Sequence, residues 1–175
     1  WDFELIKNLK KSYSSIEKLI IGRKTIITGV GIDENSGKNS ADHLIGRKIL
    51  DSESIDHFYV NTEMFEFFNK EKIYRPKEKD APIFIPPYCL VKKGANTKNY
   101  KLRAVYSEKE FLFRQAILVV KGSDKDKDVL LNITGFLNSS FYAYLNLMLA
   151  SSIGVEREQR FWNEIEQYPI ILNDD

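Results

Sequence analysis

The chain has 175 residues, 43% of them apolar and 13% aromatic, with 26 basic side chains against 25 acidic ones. That is about one domain's worth of chain with enough apolar material for a real core, which excludes disorder as the default reading. The near-neutral balance excludes a uniformly basic nucleic-acid coat but leaves room for a local patch. One cysteine, Cys89, and two histidines, His43 and His57, exclude a disulfide framework and a cysteine-built zinc site, and leave little for histidine catalysis. A lone thiol fits a reducing, cytoplasmic setting. The chain opens at Trp1 with no initiator Met and no signal sequence, and reads as a domain cut from a longer protein.

In chain order, Trp1, Leu5, Leu9, Tyr13, Ile16 and Ile20 recur at helical spacing, which predicts a helix over the first twenty residues. β-Branched residues over 24–31, ending in Gly29-Val30-Gly31, predict a strand, and 33–42 a polar loop. Segments 44–50 and 55–60 are short strand candidates. The type of the apolar segment Met64 to Phe68 is open, and 75–80 reads as a charged surface connection. Three prolines in Ala81 to Val91 suit an edge strand. Segments 100–106 and 111–121 read as strands around turns at 92–99 and 122–128. Val129 to Val155 carries no charge but is broken by Asn132, Thr134, Asn138 and Asn146. It reads as two buried helices, or one broken near Gly135, rather than a membrane span, with Ser139 or Ser140 as cap and Phe141, Tyr144, Leu145 and Met148 facing the core. The expected fold is α+β: a mixed, mainly antiparallel sheet packed against an N-terminal helix and a C-terminal helical segment.

Candidate chemistry is thin. Gly29-Val30-Gly31 lacks the third glycine of a dinucleotide turn, with Glu34 in its place. Glu78-Lys79-Asp80 and Glu108-Lys109-Glu110 sit in turns and suit solvation better than a nuclease site. Ile85-Pro86-Pro87-Tyr88 has the Pro-Pro-Tyr of amino-methylating enzymes, but Ile85 stands where an Asn or Asp must accept the target amine's hydrogen bonds. No catalytic, cofactor-binding or metal-binding residue is assigned. From Lys92 to Lys121, eight basic residues face two acidic ones, interleaved with Asn and Tyr. Lysine and arginine neutralise phosphates, Asn and Arg read base edges, and Tyr stacks. A solvated outer face of a hairpin is the alternative. The candidate DNA-binding residues here are Lys92, Lys93, Asn96, Lys98, Tyr100, Lys101 and Arg103. Arg157 and Arg160, just beyond the long apolar stretch, join them.

Leu137-Asn138-Ser139-Ser140, then Ser151-Ser152-Ile153-Gly154, then Glu166-Gln167-Tyr168-Pro169-Ile170 form an ordered series. With the Pro86 to Gly94 segment and the Thr28-Gly29 turn, the series resembles the TaqI-like C-terminal specificity domain of adenine-specific DNA methyltransferases in restriction-modification systems. Tyr168 replaces that family's leucine. The resemblance covers roughly residues 20–170. It implies a single target-recognition domain over 1–175 that grips duplex DNA and chooses the sequence to be modified. It also implies that the chain is no enzyme on its own, since S-adenosylmethionine and the methyl-transfer motif would belong to a separate catalytic domain of the parent, the expected partner besides DNA. No membrane partner is expected. The rivals are a protein-interaction module, marked by exposure of Phe65, Phe67 and Phe68, and a metal-dependent nuclease, marked by carboxylates converging with a lysine.

Overall fold

A computed structural model of the chain describes residues 2–35, 37–94, 101–149 and 162–170. Its elements run α1 (Asp2–Ser12), α2 (Ile16–Ile21), β1 (Ile27–Val30), β2 (Asn39–Ser40), β3 (Lys48–Leu50), β4 (Ile55–Asp56), β5 (Tyr59–Val60), β6 (Glu66–Phe67) and β7 (Lys72–Ile73). There follow β8 (Tyr88–Lys92), β9 (Arg103–Ser107), β10 (Leu112–Phe113), β11 (Ile117–Lys121), α3 (Lys127–Asn138), α4 (Ser140–Leu149) and α5 (Trp162–Ile165). The fold is α+β. Its main sheet is antiparallel, in the order β1-β11-β8-β9. A smaller sheet, β10-β3-β6, is mixed: β10 runs parallel to β3 and β6 antiparallel to it. The pairs β2-β7 and β4-β5 complete the β structure of the described residues.

The main sheet is covered on both sides. Cys89, Val91, Leu118 and Val120 face a core shared with the helices, including Ile133, Leu137, Tyr142 and Ile165. Tyr88, Leu90, Ile117 and Val119 point the other way, into a second core with Ile49, Leu50, Ile73 and Phe84. A strand buried on both faces needs apolar residues at every position, which is why β8 and β11 read as continuous apolar runs without alternation.

Four elements differ from the sequence reading. The first helix is split because Ser15 takes an extended conformation and its side chain accepts the Lys18 N–H, capping α2. The backbone of 14–16 is held there by the C-terminal segment, with Ile16 N–H donating to the Tyr168 carbonyl (3.2 Å) and Ile170 N–H to the Ser14 carbonyl (2.9 Å). The Pro-rich strand is interior, not an edge. Pro82 lies in a 3-10 turn over Glu78–Phe84, and Pro86 and Pro87 precede β8, so the strand itself keeps every N–H for its two neighbours. Segment 55–60 is a separate hairpin. The expected strand over 111–121 divides into β10 and β11, which belong to different sheets. The long apolar stretch forms two helices as expected, with Ser139 as the cap, its hydroxyl accepting the Tyr142 N–H (3.0 Å), and Gly135 inside α3. Of the expected core face of α4, Leu145 is buried. Phe141, Tyr144 and Met148 are partly buried, and Tyr142, Ala143 and Asn146 are buried with Leu145.

Gly31 has a steric rather than a nucleotide-binding reason: a side chain there would meet the Phe113 and Arg114 carbonyls at 2.3 Å.

One buried amide links α3, β9 and the β4-β5 hairpin by hydrogen bonds. Asn138, the last residue of α3, is buried beneath the outer edge of β9. Its Nδ2 donates to the carbonyls of Ala104 (2.8 Å) and Thr134 (2.9 Å), and its Oδ1 accepts from the Ala104 N–H (3.1 Å). With Oδ1 the acceptor, His57 donates to it through Nδ1 (2.8 Å). Phe58 then donates its N–H to the same Ala104 carbonyl (3.1 Å) from a left-handed backbone conformation, φ 58°. Such a conformation costs a bulky residue roughly 1–2 kcal/mol. Replacing Asn138 with Ala strands the Ala104 N–H in a buried site. Asn138→Ala should cost about 1–3 kcal/mol in urea unfolding, with Asn138→Asp also destabilising because it removes the donor. A loss below about 0.5 kcal/mol would contradict this account of the clamp.

Candidate nucleic-acid interface

Of the candidate DNA-binding residues, Lys92, Lys93, Lys101 and Arg103 are described. Asn96, Lys98, Tyr100, Arg157 and Arg160 lie outside the described residues. Lys92 and Arg103 face each other across the β8-β9 register. Leu102, between Lys101 and Arg103, is buried in the helix-side core. The 51–56 segment lies over the Lys92–Arg103 pair. Lys92 Nζ meets Glu53 Oε1 at 2.6 Å with its side chain only 11% exposed, and Arg103 Nε lies 3.4 Å from Asp56 Oδ1. Arg103 Nε is buried without a hydrogen bond, so its tie to Asp56 is one of charge alone. Lys93, just past the strand end, turns elsewhere. Burial, and then the nearby Arg75 charge, push its ammonium below the ordinary lysine range against the pull of Asp33.

Arg114, another member of the basic run, is bound by three carboxylates: Glu34 (2.7 Å), Glu66 (2.8 Å) and Asp51 (3.5 Å). Lys70 also holds Glu34, at 3.0 Å. Carboxylates do converge here with a lysine, but around a guanidinium that neutralises them, and no group of potential metal ligands occurs among the described residues. Neither half of Ile85-Pro86-Pro87-Tyr88 fits methyl transfer. Ile85 is an exposed alkyl group, while the buried Tyr88 hydroxyl donates to the Lys109 carbonyl (2.6 Å) and accepts from the Phe111 N–H (3.0 Å). Burial pushes the Tyr88 phenol well above its ordinary range and the Cys89 thiol up to about 12, so neither is poised to react. The phenylalanine group that would mark an interaction module is divided. Phe68 is buried, Phe65 packs on Phe111 with ring centroids 5.1 Å apart, and Phe67 alone is largely exposed.

Cations missed by the sequence reading lie on another face. Two adjoining clefts, about 480 and 440 Å³, share Arg75, Pro76 and Asp80. Lys38, Tyr74 and Lys77 line the first, and Lys79 and the β1 edge line the second. Nothing local signals that Lys38 joins this cluster, because it arrives from the other side of the long-range β2-β7 pairing. The alternating basic residues of Arg75 to Lys79 were its only sequence trace.

No protein-family model and no curated protein matches this chain. Among the described residues, no helix is long and apolar enough to cross a membrane.

The Arg114 cluster sets an acid limit on stability. Partial burial pushes the Glu34 carboxyl up, but hydrogen bonds from Lys70 and Arg114, with their charges, outweigh it and hold it below its ordinary 4.5. Ionised Glu34 therefore favours the fold fully above that ordinary value, and the benefit is lost as pH falls through the lowered one. Arg114→Met should cost about 1–3 kcal/mol at neutral pH. It should also flatten the fall in urea-unfolding stability below about pH 4.5. An unchanged acid profile in the variant would contradict this role for Arg114.

Proposed function

We propose that this chain is a target-recognition domain for duplex DNA, belonging to an adenine-specific DNA methyltransferase or a combined restriction-modification enzyme, with no methyl-transfer activity of its own. The observation that carries the reading is what the resembling motifs do together. Asn138 and Ser139 of the Leu137-Asn138-Ser139-Ser140 series respectively clamp β9 and cap α4. Tyr168 of the closing segment packs on Tyr142 and donates to Asn146 Oδ1 (3.2 Å). The series thus supports the strand that leads out of the 92–103 hairpin, the segment richest in phosphate- and base-contacting residue types.

In this reading Lys92 and Arg103 exchange Glu53 and Asp56 for phosphates on binding. The Arg103 exchange is cheap, because Asp56 is largely exposed and makes no hydrogen bond to Arg103 Nε; Lys92, only 11% exposed, is reached once the exposed Glu53 swings away. Lys98 and Lys101 supply sequence-independent grip, and Arg103 or Asn96 reads a base edge. S-Adenosylmethionine belongs to the parent's catalytic domain.

A salt titration of duplex binding tests the reading. Replacing Lys98 and Lys101 by alanine should weaken binding to all duplexes alike and flatten the slope of log K against log salt by up to about two units. Replacing Arg103 or Asn96 should instead cost about 1–3 kcal/mol of discrimination on the preferred site. The chain should transfer no methyl group from S-adenosylmethionine to DNA. Unchanged slope in the double lysine variant, or stoichiometric methylation by the chain alone, would overturn the proposal.

A further inference from the structure

We infer that the groove formed by Lys38, Arg75, Lys77 and Lys79 is a second contact for the phosphodiester backbone of the bound duplex, separate from the 92–103 hairpin. The inference rests on the DNA-binding reading above and adds a surface which that reading did not include.

Charge is the first argument. Four cations line the two adjoining clefts, and Asp80 is the acid among their lining residues. Lys92, Arg103 and Arg114 of the 92–121 basic run are tied to carboxylates. In the groove Arg75 has a distant pairing with Asp33, 3.7 Å, while Lys38, Lys77 and Lys79 make no ion pair among the described residues. Shape is the second. The cations are divided between two clefts, Lys38 and Lys77 in the first, Lys79 in the second and Arg75 in both, which suits a chain of phosphates better than a single small anion. The second cleft is also lined by Pro76, Pro82 and Ile83, apolar surface that can lie against sugars.

Rigidity is the third argument. Arg75 is held by a backbone bridge to Asp33. The Asp33 N–H donates to the Arg75 carbonyl (3.0 Å), and the Tyr74 N–H donates to the Asp33 carbonyl (2.9 Å). Asn39 Nδ2 closes the same corner on the Tyr74 carbonyl at 2.5 Å. A cation presented on a fixed backbone loses less freedom when an anion arrives. Lys93 adds to the field at this corner: its ammonium is half buried beside Arg75, so two like charges share one acid, Asp33. An incoming phosphate relieves that repulsion.

The test is a salt titration of duplex binding by the chain and two variants, with far-UV circular dichroism to verify folding. In Lys38→Gln/Lys77→Gln/Lys79→Gln the exposed charges are removed at similar side-chain length, and Arg75 is left to hold Asp33. In Lys38→Arg/Lys77→Arg/Lys79→Arg the charges are kept. The glutamine variant should flatten the slope of log K against log salt by about two to three units, equally on every duplex sequence, while the arginine variant keeps the parent slope. If the chain binds duplex and the glutamine variant keeps its affinity and slope, the groove is not a contact and the DNA reading survives. If the unmodified chain binds no duplex even at low salt, both fall. If the arginine variant loses slope as the glutamine variant does, the effect is not one of charge and the inference is overturned.

Discussion

The side-chain amide of Asn138 is the contact on which the architecture depends. An edge strand offers unpaired N–H and C=O groups, and natural sheets must cover them. Here the cover is a primary amide, whose fixed donor and acceptor match the N–H and C=O of one residue, Ala104. The remaining capacity of Asn138 goes to its own helix, through Thr134, and to the β4-β5 hairpin, through His57. One buried residue therefore sets the helix layer, the sheet edge and the hairpin in register. Its polarity is tolerated because both polar atoms of the amide are satisfied.

That geometry explains why the motif series reads as it does. The asparagine closes the strand edge, the next serine caps the following helix, and Tyr168 returns the chain against both Tyr142 and the 14–16 backbone. These are structural duties. In the proposed reading, contact with duplex DNA falls to the loops and strand ends that this frame holds in place, which is the usual division of labour between scaffold and reading surface.

Much of the fold was legible. The α+β class, strands within the expected 24–31 and 100–106 segments, and two helices over the uncharged stretch follow from apolar runs and turn residues, while the expected 111–121 strand is shared between two sheets. What escaped was set by distant partners. The first helix splits because 14–16 pairs with 168–170, and the Pro-rich segment ends inside the sheet because its prolines stop just short of Tyr88. Charge was the least legible feature. The local excess from 92 to 121 is answered in space by Glu34, Asp51, Glu53, Asp56 and Glu66, all from upstream loops and short strands. Conversely, the short run Arg75 to Lys79 joins Lys38 around two adjoining clefts with one acid, Asp80, among their lining residues. A count along the chain weighs neighbours in sequence, whereas a phosphate meets neighbours in space.

The central claim is that duplex DNA lies across the strand ends and loops held by this frame. Backbone amide hydrogen exchange of the chain, with and without a saturating duplex at low salt, tests it most directly. The account predicts slowed exchange in 92–103 and in 74–79, with α1 and α2 unchanged. Slowing confined to the helical layer, or no change anywhere, would contradict it.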